Sequence, residues 1–328
     1  MLINFNRFFQ PPPQQTRLNL PEIQALVMHL GRGRKVSEIT PLEGGYRNHN
    51  YQVDFANGDV AVLKVSTDLV AAQKATALQQ QLSRFLPVPE ILGERATSAH
   101  VFTLMSYVPG RLACTVPKDL EESDYLEMGR SIGAFLARVH KVQLPAAGTL
   151  NADLEVVDPY ANLGDSWLAY MREVMHGKRA EARLGAEDCQ RVLQLLNRYE
   201  QRLHDLSPTH CLVHSDFNLK NIKVEQKNGQ WRVAGVLDWE FAHGGSPLTD
   251  LGNFYRFEQQ LPTGLFKGFE TGYFEQGYGV QADRVEWRDL ARILDLTALC
   301  NFLDAPEERP LTEQTAVTKI RETLDTLQ

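Results

Sequence analysis

Two periods divide the chain. Between Val36 and Val65 apolar and polar positions alternate, most regularly in Asn50-Tyr51-Gln52-Val53-Asp54-Phe55. Asn57-Gly58 supplies a hairpin turn before Val60-Ala61-Val62-Leu63-Lys64-Val65 returns, so this stretch predicts antiparallel strands. Further on, Tyr125, Met128, Ile132, Phe135, Leu136 and Val139 recur at helical spacing and predict a helix over 121–142. Between these regions lies a predicted helix over 68–85, capped by Ser66 or Thr67, with Ala71, Ala75, Leu78, Leu82 and Phe85 as its apolar stripe. Strands over 88–92 and 101–107 follow, and Val108-Pro109-Gly110 marks a break. Ahead of the first strands, Pro21 opens an amphipathic helix that Gly31 and Gly33 stop. Beyond residue 150 the pattern predicts helices over 166–176, 186–205, 248–258, 263–276, 286–304 and 312–327. Among them a β-hairpin, Ile222–Glu225 and Trp231–Leu237, turns at Asn228-Gly229.

The expected architecture is therefore α+β. Residues 1–19, rich in proline and glutamine, form a lead-in draped on the surface; 20–107 form a β-rich N-lobe with one packed helix; 108–328 form a mainly helical C-lobe. A chain of 328 residues is comfortable for two such lobes. Hydrophobic content of 43% and charged content of 23% are those of an ordinary globular protein. A net charge of −7 argues against nucleic acid as partner. Pro11-Pro12-Pro13 interrupts the start before any apolar signal region, and no stretch reaches the length of a membrane span. Cys114, Cys189, Cys211 and Cys300 are scattered, as buried reduced thiols would be, so the expected setting is cytoplasmic.

The chemistry concentrates in one stretch. His214-Ser215-Asp216-Phe217-Asn218-Leu219-Lys220-Asn221 has the spacing H-x-D-x4-N, and Asp238 follows at the end of the predicted second hairpin strand. In phosphoryl transfer such a first aspartate orients an attacking hydroxyl, while the asparagine and second aspartate hold magnesium. Lys64, ending an apolar strand, needs a partner for its amine. Gly44-Gly45 lets backbone amides approach a ligand, although a plain hairpin uses such a pair equally well. Other polar residues carry plainer readings. Asp250 can be a helix cap, Glu240 a loop carboxylate or a metal or substrate contact, and His140 and His243 a packed helix-end residue and a loop residue. Asp153, Glu155, Asp158 and Asp165 form a solvated acidic stretch.

Taken together these motifs resemble the aminoglycoside phosphotransferase and choline kinase-like family over about residues 20 to 305. The residues that carry it are Leu42-Glu-Gly44-Gly45-x-x-Asn48-x-x-Tyr51, Val-Leu-Lys64, Met105-Ser-Tyr107-Val-Pro-Gly110, Ala137-Arg-Val-His140, Val213-His214-Ser-Asp216, Val-Leu-Asp238-Trp239-Glu240 and Gly245-Ser-Pro-Leu-x-Asp250-Leu. The resemblance implies a protein-kinase-like two-lobed fold and an enzyme that moves the γ-phosphate of ATP (or GTP), with Mg²⁺, to a hydroxyl of a small molecule. It implies that Asp216 is the catalytic base and that Lys64, Gly44, Gly45, Asn48, Met105 and Tyr107 bind the nucleotide. It gives Asn221 and Asp238 to the metal, and makes His214 and Asp250 structural supports of the loop. The acidic stretch near residues 151–170, in a region that shapes the acceptor pocket in this family, hints at an amine-bearing alcohol such as an aminoglycoside or a choline-like compound.

The chain departs from the family at one place. There the strand lysine pairs with a glutamate on the N-lobe helix, but between Asp68 and Glu90 this sequence has no acid, and the expected position falls near Gln73 or Lys74. A glutamine forfeits the charge-assisted bond and a lysine would repel Lys64. That departure motivates a second expectation, a nucleotide-binding pseudokinase-type regulator with little or no turnover. Protein-kinase activity fits less well, because Trp239-Glu240 follows Asp238 where Phe-Gly would stand.

Overall fold

A computed structural model of the chain describes residues 1–9, 20–42, 48–206, 210–276 and 286–327. Helix α1 (Leu20–Leu30) precedes the strands β1 (Val36–Leu42), β2 (His49–Phe55) and β3 (Val60–Ser66). Helix α2 (Leu69–Leu82) then leads to β4 (Ile91–Ala96) and β5 (Val101–Ser106), closing an antiparallel sheet of order β1-β2-β3-β5-β4.

Pleating gives this sheet two unlike faces. Tyr51, Val53, Phe55, Ala61, Leu63, Val65, Phe102 and Leu104 pack with Ile23, Val27 and Leu30 of α1 in one core. Lys64 therefore falls on the other face, in register with Thr103, while Val62 is in register with Met105. Helix α2 covers that second face, with Thr76 Oγ1 3.3 Å from Thr103 Oγ1. Its Ala75, Leu78 and Leu82 join the core of the C-terminal region instead of the core under α1.

The C-terminal region begins with β6 (Arg111–Leu112), α3 (Glu122–His140), β7 (Gly148–Leu150) and β8 (Val156–Pro159). Helices α4 (Leu163–Met175), α5 (Lys178–Leu184) and α6 (Ala186–His204) follow, then β9 (Cys211–Val213), β10 (Ile222–Lys227), β11 (Gln230–Val236) and β12 (His243–Gly245). Helices α7 (Leu248–Tyr255), α8 (Thr263–Phe274), α9 (Trp287–Asp304) and α10 (Pro310–Thr326) complete it. The short strands make two small sheets, β11-β10-β6 and β8-β7-β12-β9. Gly110 lets the chain turn from β5 onto β10: its φ is +81°, and a Cβ there would lie 2.3 Å from the Val224 carbonyl oxygen. Among the described residues no helix is long and apolar enough to cross a membrane. All four cysteines are free and buried.

Several local expectations change. The lead-in is not draped on the surface where it is described: Leu2, Ile3, Phe5 and Phe9 are buried in the C-terminal core. Phe5 meets the Phe257 ring edge-on at 5.4 Å, Phe9 lies 5.6 Å from Phe302, and the Phe8 carbonyl accepts a bond from Thr315 Oγ1. Burying a phenylalanine contributes roughly 1.5–3 kcal/mol, which outweighs the polar composition of the segment as a whole. The cap of α2 is Asp68, whose side chain accepts from the Ala71 amide, and neither Ser66 nor Thr67 fills that place. Helix α2 also ends at Leu82, leaving Phe85 exposed, because the chain must turn toward buried Leu86 and Val88. Among the elements the pattern did not announce are the β7–β8 hairpin, whose second strand lies in the acidic stretch, and helix α5.

Candidate active site

The hairpin β10–β11 brings the motif residues together. Asn228 (φ 54°) and Gly229 (φ 78°) make its turn, and a register shift between Lys223 and Val224 sets Ile222 opposite Val236. Asn221 consequently faces Leu237, whose amide donates to the Asn221 carbonyl at 2.8 Å. Asp238 comes next, with φ 60° and ψ 65°, and caps a single 3-10 turn over Trp239–Phe241. A left-handed aspartate is tolerated only where the surroundings hold it. Here Trp239 does so: it is fully buried, donates Nε1–H to the Val236 carbonyl and packs 4.6 Å from the His214 ring.

The Asp216 loop is fastened from beneath. Asp250, in the first turn of α7, is fully buried and accepts the backbone amides of His214 and Ser215, each at 2.7 Å. Its Oδ2 also meets His140 Nε2 at 3.1 Å, and His140 Nδ1 meets the Tyr273 hydroxyl at 2.8 Å. Burial works against ionisation of Asp250, but the His140 and His214 interactions prevail and hold its carboxyl below the usual range. Asp250 thus does not serve as the cap of its own helix. His214 has both nitrogens engaged. The Asp216 amide donates to Nδ1 at 3.2 Å and the Leu237 carbonyl lies 2.8 Å from Nε2, which fixes the Nε2–H tautomer and leaves no nitrogen for a metal.

Asp216 itself is gripped at both oxygens. Asn218 Nδ2 donates to Oδ1 at 2.7 Å, Asn221 Nδ2 to Oδ2 at 2.8 Å, and Lys220 Nζ stands 3.3 Å from Oδ2. With its nitrogen turned onto Asp216, the Asn221 amide directs its oxygen elsewhere, and no described residue bonds that oxygen. Asp238 is similar: its Oδ1 accepts from Lys64 Nζ at 2.9 Å, and its side chain is 45% exposed. An amide oxygen and a carboxylate oxygen are the hard donors Mg²⁺ takes, and that ion keeps several waters when protein ligands are few. The residues present fit such an ion.

Lys64 completes the site from the sheet. Its Nζ reaches Glu240 Oε2 at 2.5 Å as well as Asp238. Burial alone would lower its pKa, but the two carboxylates outweigh it, so the amine is held charged well above its ordinary value. In return burial would raise the Asp238 carboxyl, but the Lys64 amine, with Lys220 and His214 adding, draws it below its ordinary value. Asn48 also belongs here, donating Nδ2–H to both Glu240 oxygens at 3.2 and 3.0 Å while accepting from Ser66 Oγ at 2.6 Å. Met105 is buried on β5 on the face that carries Lys64, and Tyr107, 41% exposed, follows the strand with Lys223 Nζ 4.4 Å from its ring centre. Gly44 and Gly45 lie outside the described residues.

Two residues take partners that the sequence did not assign to them. Glu240 proves to be a second carboxylate partner of Lys64 beside Asp238, and only its place two residues after Asp238 could have signalled it. Lys74 does not approach Lys64 as a rival cation; its Nζ is buried and donates to the Ala242 carbonyl at 2.8 Å. Burial pulls its pKa down, with Asp68 and Glu240 opposing.

A family model described as the APH phosphotransferase enzyme family matches residues 38–289. Among solved structures, aminoglycoside phosphotransferase APH(4)-Ia superposes with a TM-score of 0.68 at 17% identity, covering 94% of this chain and 99% of that one. A fructosamine-3-kinase homologue from Thermobifida fusca gives a TM-score of 0.63 at 20% identity, covering 94% and 100%. At these identities the likeness speaks for the fold, which is kinase-like. Curated relatives match locally: acyl-CoA dehydrogenase family member 11 from Mus musculus is 45% identical over 65 residues. That match covers 19% of this chain and only 8% of the mouse protein.

Proposed function

Since the chain belongs to the APH phosphotransferase enzyme family, we propose that it transfers the γ-phosphoryl group of ATP, or GTP in its place, to a hydroxyl of a small molecule with the help of Mg²⁺. The observation that carries this reading is the convergence of Asp216, Asn221, Asp238 and Lys64, linked by the 2.8 Å Asn221–Asp216 and 2.9 Å Lys64–Asp238 bonds. Asp216 accepts a hydrogen bond from the acceptor hydroxyl and takes its proton late, as suits a loose transition state in which positioning dominates. Lys64 holds the α- and β-phosphates, Gly44, Gly45 and Asn48 also serve the nucleotide, and the backbone around Met105 and Tyr107 receives the base. Asn221 and Asp238 would hold Mg²⁺, which would offset the charge of the phosphates. His214 and Asp250 keep the loop in shape.

For the acceptor, amine-bearing alcohols come first. Asp153, Glu155 and Asp158 are exposed on or beside the β7–β8 hairpin, which joins through β12 to β9, the strand entering the Asp216 loop. Among fold neighbours, one APH(4)-Ia structure is a ternary complex with ADP and hygromycin B, and another neighbour is a macrolide 2'-phosphotransferase from Brachybacterium faecium. The free, buried cysteines suit a cytoplasmic setting. The case for a silent regulator loses its motive, because Lys64 is paired with Glu240 despite the missing acid on α2.

The test is an ADP-release screen with ATP and Mg²⁺ against aminoglycosides, choline-like alcohols, fructosamines and macrolides. Turnover that disappears with chelator is the expected result. A thermal shift with Mg-ATP but no transfer to any acceptor would favour the regulator, and no shift at all would overturn both readings.

A further inference from the structure

Lys64 has two carboxylate partners, and both stand on one turn. Asp238 and Glu240 flank the buried Trp239, so the indole that anchors the 3-10 turn also aims the two acids at the sheet. Lys64 and Glu240 are both largely enclosed, with side chains 13% and 12% exposed, whereas Asp238 is 45% exposed. Asn48 grips both Glu240 oxygens and is itself held by Ser66, from β3. On the helix side the charge is inverted. No residue of α2 is acidic, and its buried Lys74 donates to the backbone carbonyl of Ala242, just past Glu240.

In protein kinases the strand lysine must pair with a helix glutamate while a separate aspartate takes the metal, and movement of the helix controls whether both are in place. Here the carboxylate comes from the metal-side turn and the helix contributes a cation to that turn. We propose that Glu240 is the positioning residue for Lys64, holding its amine toward the nucleotide phosphates so that Asp238 can release it to bind metal. The inference rests on the nucleotide-site reading above. It has a mechanical consequence: the lysine anchor and the metal carboxylate are set by one Trp239-pinned turn, and the site needs no swing of α2 to assemble.

The experiment is nucleotide affinity by calorimetry, with ATP in chelator and with Mg-ATP, for wild type, Glu240→Gln, Lys64→Met and the double variant. An anchor that acts through Lys64 predicts about tenfold to hundredfold weaker binding of Glu240→Gln in both conditions. It also predicts that Glu240→Gln adds nothing once Lys64 is Met, which a merely structural role would not produce. Loss confined to the Mg²⁺ condition would make Glu240 a metal ligand and overturn the proposal. Affinity equal to wild type would overturn it as well. If wild type binds no nucleotide in either condition, the functional reading itself fails and this inference with it. Should Glu240→Gln not fold, Glu240→Asp serves: a shortened carboxylate that still pairs weakens ATP binding less than Lys64→Met does, and a loss equal to or larger than that of Lys64→Met counts against the anchor.

Discussion

The Asp216 loop and the Lys64 cluster are both built on ionised groups, yet they are held by opposite means. Beneath the loop, Asp250 and His140 are fully enclosed, and the Asp250 carboxylate is spent on two backbone amides and a histidine of its own region. In the Lys64 cluster the partners come from distant parts of the chain, one of them is 45% exposed, and an alternative carboxylate stands beside it. On the proposed reading Asp216 is a base that must be placed to a fraction of an ångström, and the support beneath its loop is buried. On the proposed reading Lys64 would exchange partners when nucleotide and metal arrive, and two carboxylates stand beside it at 2.5 and 2.9 Å. The loop is a fixed fixture and the cluster an exchangeable one.

The largest effects should come from the fixed side. Asp216→Asn should lower kcat by roughly 10²–10⁴-fold while leaving the unfolding transition near that of wild type. The loss is more than that of a proton acceptor. Asn218 and Asn221 both donate to this carboxylate, so an amide in its place confronts one of them with a second donor and turns it away. Full activity in this variant would remove Asp216 from its role. Next comes Asp250→Ala, expected to cost about 3–5 kcal/mol in denaturant unfolding because a buried and a partly buried amide lose their acceptor and His140 its partner together. A loss under about 1 kcal/mol would mean the loop is not fastened there. Asp250 also predicts a pH signature. Its folded pKa is depressed, so its contribution is complete above the unfolded carboxylate value near about 4 and fades as pH falls through the folded one. Asp250→Asn should flatten that acid limb.

The same contrast explains what the sequence disclosed. The loop was legible because its spacing is local: Asp216 and Asn221 lie within one turn-rich segment, and Asn228-Gly229 announced the hairpin that carries Asn221 and Asp238 together. Even there the register shift at Lys223/Val224 was invisible, and it is what sets Asn221 opposite Leu237. The cluster was half legible. Lys64 declared itself by ending an apolar strand, but its partner was sought on α2, since helical spacing says nothing about a carboxylate arriving from 176 residues away. The buried N-terminal residues were missed for a related reason. Composition over 1–19 averages prolines and glutamines with the few apolar side chains that find Phe257 and Phe302 only in the folded chain.

The smallest effect sharpens the comparison most, and it concerns Lys74. The residue is 7% exposed and its amine rests on the Ala242 carbonyl, so it could be read as a fastener equal to Asp250. Its electrostatics say otherwise. Burial lowers its pKa, with Asp68 and Glu240 only partly opposing, so folding disfavours the protonated amine where it favours the Asp250 carboxylate. With the folded value below the unfolded one, the unfolded chain binds more protons, and stability should rise as pH climbs through that window toward about 10. Lys74→Met keeps the length and apolar stem, abolishes the burial penalty and loses one neutral-acceptor bond, so the net change at neutral pH should stay within about 1 kcal/mol. Its alkaline rise should vanish. Denaturant midpoints at pH 7 and 9.5 for both proteins measure this directly. A loss of several kcal/mol in Lys74→Met would place it with Asp250 among the fixed supports and erase the distinction between loop and cluster, whereas a small loss with a flattened alkaline limb leaves the turn held mainly by Trp239 and the carboxylates by Lys64.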